Sequence, residues 1–267
     1  MNNSCVLIPH FNNPAGLIKC IKSIGNFENV DVLIVDDGSS TLFDEEKIKD
    51  FFKAQGKVYF IYLQTNQGIE KALNVGANWI IERCYIYLAR LDCDDICHPS
   101  RFKIQEEFMR QNLEYGLIGT WCNAIDANEN ILFEMKLPTD YEKIKKRMYF
   151  ACMFIHPTLF ITVEAFKKVG GYSYNFKAAE DYDLCFKIMR KYRVGNLPQK
   201  LLNFEYNDKK GISSQNRSVQ VHSRIRIIIK YFYLGVYPFA GLLRTSIIYF
   251  IPRQFLSFFK TKIGRGV

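Results

Sequence analysis

Short apolar runs alternate with helically spaced apolar positions through the first hundred residues of the chain. The runs SCVLIP (4–9), VDVLIVDD (30–37), KVYFIYL (57–63) and YIYLARLD (85–92) are bounded by turn residues and read as buried strands. Between them, residues 15–25, 43–54 and 68–83 carry helical patterns. In the last, Ile69, Ala72, Leu73, Ala77, Ile80 and Ile81 recur at i, i+3 and i+4, the spacing of an amphipathic helix. Strands alternating with helices predict βαβ units around a parallel sheet.

Beyond Arg101 the pattern is more mixed. A helix is expected to about residue 113, followed by strands at 115–121, 130–133 and 156–162. A helix over 179–192 then turns Leu184, Ile188 and Tyr192 inward. This predicts an α+β half laid beside a nucleotide-type half. In an open parallel sheet the ligand crevice lies outside the carboxyl ends of the strands. Three of the four early strands end in polar clusters: Pro9-His10-Phe11-Asn12, Asp36-Asp37-Gly38-Ser39 and Asp92-Cys93-Asp94-Asp95. They are expected to converge on one site.

Three aspartates in four positions repel one another. Near a protein surface, two unit charges ~4 Å apart cost about 4 kcal/mol at an effective dielectric of about 20. A divalent ion of the Mg²⁺ or Mn²⁺ type would offset that, since it takes oxygen ligands and shares its shell with substrate phosphate. A solvated acidic turn capping the helix near Pro99 is the other reading. Asp37, at the second acidic strand end, suits a nucleobase or ribose contact. Neither a G-x-G-x-x-G fingerprint nor a G-x-x-x-x-G-K-[ST] loop is present, which disfavours a Rossmann dehydrogenase and a P-loop enzyme. The pair Glu180-Asp181 opens a helix, where the macrodipole stabilises acid regardless of any chemistry.

Composition alters the picture only at the C-terminus. The net charge of +9 suggests nucleic acid at first, yet residues 209–267 hold eleven Lys/Arg and no Asp/Glu, leaving residues 1–208 at 25 − 27 = −2. The basicity therefore belongs to one segment, and nucleic acid is not expected as a partner. The eight cysteines form no CxxC pair and read as reduced thiols. The opening MNNSCVLIPHFNN has no signal-peptide pattern, so a cytoplasmic protein is expected.

Taken in order, PHFNN, VDDGSS, NQGIEKALNVG, YLARLDCDDICHPSRF, HPTLFI and GGYSYNFKAAEDYDL resemble the family 2 glycosyltransferases of the GT-A fold over residues 4–206. That resemblance implies a Rossmann-like nucleotide-binding half with a mixed central sheet, and an inverting, metal-dependent transfer from a nucleotide-sugar. Pro9, Phe11 and Asn12 would pack on the base, with Phe11 where a Tyr is common. Asp37 would bind the base edge, and Lys71 and Arg90 would face the nucleotide or diphosphate. Asp92-Cys93-Asp94 is the implied D-x-D: Asp92 toward ribose and metal, Asp94 as direct ligand of Mn²⁺ or Mg²⁺, with Asp95 behind. Asp181 matches the general base, Glu180 would shape the same pocket, and Asp183 would stabilise the helix start.

His156 has two readings, a structural histidine satisfied by one backbone partner or, by the resemblance, an acceptor-pocket residue together with Tyr172. Gly170 and Gly171 would form the turn before the catalytic loop. Two departures from the family pattern matter. A downstream His that sometimes ligates metal is replaced by Asn207 and Asp208, and the Q-x-x-R-W signature of processive relatives is missing, which favours transfer of a single sugar.

The expected organisation is a catalytic domain over 1–208, with a nucleotide half at 1–101 and an acceptor half at 102–208, followed by an extension over 209–267. The extension is basic and aromatic, and its 231–251 stretch is interrupted by Pro238 and Arg244. It reads either as amphipathic helices on an anionic membrane surface or as a hairpin packed on the domain or in a homodimer interface. The leading function is addition of one sugar, expected from a UDP-sugar, to a glycan or lipid-linked saccharide in surface-polysaccharide or lipopolysaccharide synthesis at the inner face of the plasma membrane. The alternatives are a nucleotide-sugar-forming nucleotidyltransferase, against which PHFNNPAG lacks any Lys or Arg, and a non-catalytic nucleotide-sugar or membrane-binding module.

Overall fold

The computed structural model describes residues 2–206 and 217–250. Asn207, Asp208 and residues 251–267 of the extension lie outside the described residues. Four parallel strands, β1 (Ser4–His10), β2 (Val30–Asp36), β3 (Val58–Tyr62) and β4 (Tyr87–Arg90), lie in the order β3-β2-β1-β4. Helices α1 (Pro14–Ser23), α2 (Glu45–Phe51) and α3 (Ile69–Glu82) connect them.

Side chains alternate across a strand, and here both faces are covered. Cys5, Leu7, Leu33 and Val35 face the cluster that includes Ala72, Leu73, Ala77 and Ile80 of α3. Val6, Ile8, Val32 and Ile34 face Leu17, Cys20 and Ile21 of α1. This is why the strands read as continuous apolar runs. Gly76 brings α3 close to the sheet, since a Cβ there would stand 2.2 Å from Leu7 Cδ1.

The sheet turns mixed beyond β4. The short β8 (Phe160–Thr162) runs antiparallel to β4 and also pairs with β6 (Tyr115–Ile125), joining the two halves. β6 pairs in turn with β7 (Ile131–Met135) and, in parallel, with β9 (Arg193–Glu205). The two-residue β5 (Ile96–Cys97) closes the edge by pairing with Leu202 and Asn203 of β9. β5 is too short to show in an apolar pattern, yet it fixes the far end of the aspartate loop.

The expected strand over 156–162 is corrected. His156–Thr158 is a 3₁₀ turn, and only the last three residues of the stretch are strand. Pro157 has no N–H to give a ladder but suits the first turn of a helix, and the Thr158 N–H closes that turn on Ile155 O at 2.9 Å.

α4 (Arg101–Gln111) follows β5, and Ser100 before it makes no side-chain cap. Glu28 caps it from a distance, accepting from the N–H groups of Phe102 and Lys103 at 2.9 and 2.8 Å. Burial drives the Glu28 carboxyl up to about 7, although those two N–H groups pull the other way. α5 (Tyr141–Arg147), α6 (Val163–Val169) and α7 (Glu180–Met189) cover the second half.

α8 (Arg217–Lys230) and α9 (Val236–Phe250) form a C-terminal hairpin. Ile227, Ile228 and Tyr231 of the hairpin are buried in the same cluster as Phe186 and Leu184 of α7. The Tyr231 ring stacks on Phe186 at 4.9 Å. The outer side of α9 is different, with Val236, Phe239, Leu243 and Ile247 all exposed.

Candidate active site

The ends of β1 and β2 are locked together before any ligand arrives. The Asn13 N–H donates to His10 Nε2 at 3.2 Å, so that nitrogen carries no proton and Nδ1–H is left to donate to Asp36 Oδ2 at 2.7 Å. Asp36 Oδ1 accepts from the Ser39 N–H at 2.8 Å. Burial alone would raise Asp36, but Ser39 and His10 outweigh it and hold the carboxyl below its ordinary range.

Asn12, at φ 51, accepts at Oδ1 from the N–H groups of Ser40 and Thr41 at 2.9 and 3.0 Å. Asn tolerates that left-handed conformation better than most residues. Its clamp leaves Phe11 46% exposed, a ring face free to stack, with Pro9 half-buried behind it. Gly38, at φ 69, is the turn residue that lets this loop pass Thr65, whose carbonyl carbon would lie 2.4 Å from a Cβ.

Asp37 is buried, and its oxygens accept from the N–H groups of Gln67 and Gly68 at 2.9 Å each. Burial raises it, with these two bonds opposing. Each carboxylate oxygen keeps a second lone-pair site. Lys71, half-buried, follows in the first turn of α3.

At the end of β4, Arg90 is fully buried. It donates to Leu7 O at 2.7 Å and to Asp92 Oδ1 at 2.5 Å. The guanidinium therefore stands behind the aspartate loop and orients Asp92, whose side chain is 27% exposed. Asp94 reaches solvent, yet protein surrounds it closely enough that burial, followed by the charge of Asp92, pushes its carboxyl up to about 6. Its solvent access argues for a smaller rise than a fully enclosed carboxyl would show, but the direction follows from the paired negative charge.

Asp95 is fully enclosed and accepts from the Glu205 N–H at 3.2 Å, which ties the loop to β9. Burial and its two acidic neighbours drive it well above its ordinary range. Burial and the same acids keep Cys93 a thiol, and its sulfur accepts from Asn13 Nδ2 at 3.9 Å. A protonated thiol is no metal ligand.

The residues expected on the acceptor side come from distant parts of the chain. Asn74 of α3 exchanges two hydrogen bonds with the backbone of Tyr172, at 2.9 and 3.0 Å. The Tyr172 hydroxyl then meets His156 Nε2 at 2.9 Å. Burial, then the positive charge of Arg90, lowers His156 to about 4, and the negative charges of Asp181 and Asp92 oppose this. His156 is thus neutral at physiological pH.

Glu180 is buried, and among the described residues its Oε2 has no hydrogen-bond partner. Burial and the charge of Asp181 raise it. Asp181 beside it is half-exposed, its Oδ1 accepting from the Tyr182 N–H at 2.8 Å. Arg90 acts electrostatically on His156, Tyr172 and Glu180 alike. The strand-end aspartates and the acidic pair of α7 therefore share one electrostatic neighbourhood.

Asp183 lies apart from this cleft, buried under α8. Its Oδ1 accepts from Lys230 Nζ at 2.7 Å and the Tyr231 hydroxyl at 2.8 Å, and Lys187 Nζ stands 3.3 Å from Oδ2. The last contact is an ion pair without hydrogen-bond geometry, since Oδ2 has no hydrogen-bond partner among the described residues.

Sequence reasoning did not single out His10, Asp36 or Asn74 as organising residues. The first two lie inside the quoted strand ends and Asn74 inside the quoted NQGIEKALNVG, but its partner Tyr172 is 98 residues away. Among the described residues, no group of three or more His, Cys, Asp or Glu is placed to hold a metal by itself, and no helix is long and apolar enough to cross a membrane.

A parallel nucleotide-type half continued by a mixed sheet, with acidic strand ends facing an acidic helix start, defines a GT-A glycosyltransferase. The structure of S. aureus TarS in complex with UDP-GlcNAc superposes with a TM-score of 0.65 at 16% identity, covering 93% of this chain and 73% of that one. A Pyrobaculum calidifontis mannosyltransferase in complex with GDP-Man and Mn²⁺ gives 0.63 at 14% identity, covering 92% and 69%. At sequence level, the Escherichia coli O-antigen biosynthesis glycosyltransferase WbnJ is 29% identical over 187 residues, 68% of this chain and 70% of its own. The chain belongs to glycosyl transferase family 2, whose model matches residues 5–170. It is a glycosyltransferase.

Proposed function

We propose that this glycosyltransferase moves one sugar from a nucleotide diphosphate donor, a UDP-sugar in the leading reading, to a hydroxyl of a glycan or lipid-linked saccharide in surface-glycan synthesis. The observation that supports the reading is that Arg90, hydrogen-bonded to Asp92 at 2.5 Å, Asp92 itself and Asp181 all bear electrostatically on His156. The complexes of UDP-GlcNAc and GDP-Man with similar folds support a nucleotide-sugar donor. The O-antigen role in the name of the E. coli relative supports a surface-glycan acceptor.

In this reading the exposed face of Phe11 stacks on the base, while Asn12 and Pro9 hold that face in place. Asp37 accepts from a base or ribose donor through its remaining lone pairs, and Lys71 approaches the nucleotide. Asp92 and Asp94 offer only hard oxygen donors under mutual repulsion, a set that fits Mg²⁺ or Mn²⁺ together with phosphate oxygens. A cation held there would supply positive charge at the diphosphate.

Asp181 takes the proton of the acceptor hydroxyl as that oxygen forms its bond to the anomeric carbon. The bond from that carbon to the diphosphate oxygen breaks on the opposite face, and its electron pair leaves with the nucleoside diphosphate, which inverts the centre. Burial, then the charge of Asp181, favours the protonated form of Glu180. His156 and Tyr172 line the acceptor side. The testing experiment is a panel of UDP- and GDP-sugars with Mn²⁺, scored for donor hydrolysis. Turnover that Asp94→Ala and Asp181→Asn leave intact overturns the mechanism.

We keep the division into a catalytic unit over 1–208 and an extension over 209–267 as part of this reading. Of the extension, α8 gives an inner face to the core and α9 an outer face to a partner. That partner is an anionic bilayer: the stripe Val236, Phe239, Leu243 and Ile247 is exposed, and the segment 209–267 has eleven basic and no acidic residues. Truncation before α8 would open the core, so the test is Phe239→Ser with Leu243→Ser. Loss of sedimentation with phosphatidylglycerol vesicles is expected. Unchanged binding, or a dimer that the substitutions dissociate, sinks this assignment.

A further inference from the structure

The segment that delivers Glu180 and Asp181 holds its shape only in part by itself, through the Ala179 N–H on Phe176 O at 3.0 Å and the Asn175 N–H on Ser173 Oγ at 3.3 Å. Ala178 sits at φ 57, a region that a residue with a Cβ occupies only where its surroundings impose it. Ala179, the residue before α7, makes no side-chain cap hydrogen bond, because alanine has no acceptor to offer.

α8 does not replace that cap but holds the segment by its carbonyls. Gln220 Nε2 donates to Ala178 O at 3.2 Å, Ser223 Oγ to Lys177 O at 2.9 Å and Arg226 Nη1 to Asn175 O at 3.1 Å. Positions 220, 223 and 227 recur at helical spacing. The face that grips the loop is therefore also the face that buries Ile227 in the core. At its end, Lys230 and Tyr231 hold Asp183 in the first turn of α7. A helix that only covered apolar surface would have no use for three donors aimed at three carbonyls of one loop. Main-chain carbonyls fix where the chain runs, independently of the loop's own side chains.

We infer that α8 is the positioning element of the acceptor side: Gln220, Ser223 and Arg226 set the path of residues 175–178, and through it the direction in which Glu180 and Asp181 enter the cleft. The catalytic part of this inference rests on the reading of Asp181 as the base. The C-terminal segment is then part of the transfer machinery as well as a docking surface.

The test uses the full chain with Gln220→Ala, Ser223→Ala and Arg226→Ala together, since alanine preserves the helix while removing the donors. Amide hydrogen exchange over residues 173–181 is expected to quicken at least tenfold, with exchange in β1–β4 unchanged. With UDP-GlcNAc, UDP-glucose and GDP-mannose as probes and Mn²⁺ present, kcat for hydrolysis should fall about tenfold while KM stays within twofold. A variant carrying Ser223→Thr and Arg226→Lys with Gln220 intact should recover most of both. Unchanged exchange in the loop overturns the inference. So does a rise spread evenly over α7, α8 and the sheet, which marks general destabilisation. Asp181→Asn is run alongside: if it hydrolyses donor like the parent, the reading of Asp181 fails, while the exchange result still decides whether α8 holds the loop.

Discussion

The two halves of the cleft are built in opposite ways. On the proposed donor side, polar side chains sit at the ends of neighbouring parallel strands, and several are already satisfied by backbone N–H groups within the adjoining loops, as with Asp36, Asp37 and Asn12. On the proposed acceptor side, His156, Tyr172, Glu180 and Asp181 ride on a 3₁₀ turn, a loop and a helix start. They are steadied by Asn74, 98 residues away from Tyr172, and by α8. A frame shared by many sugar nucleotides can be rigid and local. A surface that must match one acceptor is assembled from distant pieces, where changes to loops leave the donor frame intact.

The largest expected effect separates the halves by chemistry. Asp181→Asn should lower transfer by about 10²–10⁴-fold, the range of a lost general base, with UDP affinity unchanged by calorimetry. A matching loss of UDP affinity would erase the division.

Next comes the frame itself. Glu28 has its pKa raised by burial from the ordinary 4.5 to about 7, so the folded state binds the proton more tightly than the unfolded chain. Its contribution to stability is present in full below about 4.5 and is lost as pH rises through about 7. At 1.36 kcal/mol per pKa unit, the loss is at most ~3 kcal/mol. Melting curves of the parent should therefore decline across that window relative to Glu28→Gln, in which this titration is gone. Parallel curves would refute the assignment.

A smaller effect is expected at the aspartate loop. Asp94→Ala should weaken Mn²⁺ binding in the presence of UDP by about 10–100-fold, the scale of one lost carboxylate contact in charge-assisted bonding. In the parent, proton competition at Asp94 should weaken Mn²⁺ as pH falls through about 6. Binding that ignores both pH and the substitution would remove Asp94 from the donor side. The smallest is Asn12→Ala, which should cost roughly 1 kcal/mol from lost hydrogen bonds and raise donor KM severalfold without altering kcat.

Much of the donor half is legible in the sequence because in a parallel sheet the carboxyl ends of successive strands point the same way. Once runs 4–9, 30–37 and 85–92 read as strands, their polar ends must gather. β5 escapes such reading because two residues carry no period, and its pairing with β9 is a contact between positions about a hundred residues apart. The turn at His156–Thr158 reads as strand from its apolar neighbours until Pro157 is weighed. The tail left two readings open: α8 packs on the domain, the outer face of α9 is exposed, and the membrane reading of that face is a proposal.

Local periodicity and motifs a few residues long were enough to read most of the elements, the acidic strand ends and the family. The tertiary structure alone decided what each charged group faces. It buried Arg90 behind Asp92, gave Asp37 two backbone N–H partners, and turned Asp183 toward Lys230 and Tyr231, away from the cleft. The physical reason is that periodicity fixes which side of an element a residue occupies, whereas the partner of a buried charge, and the solvation it loses, depend on segments brought together only by folding.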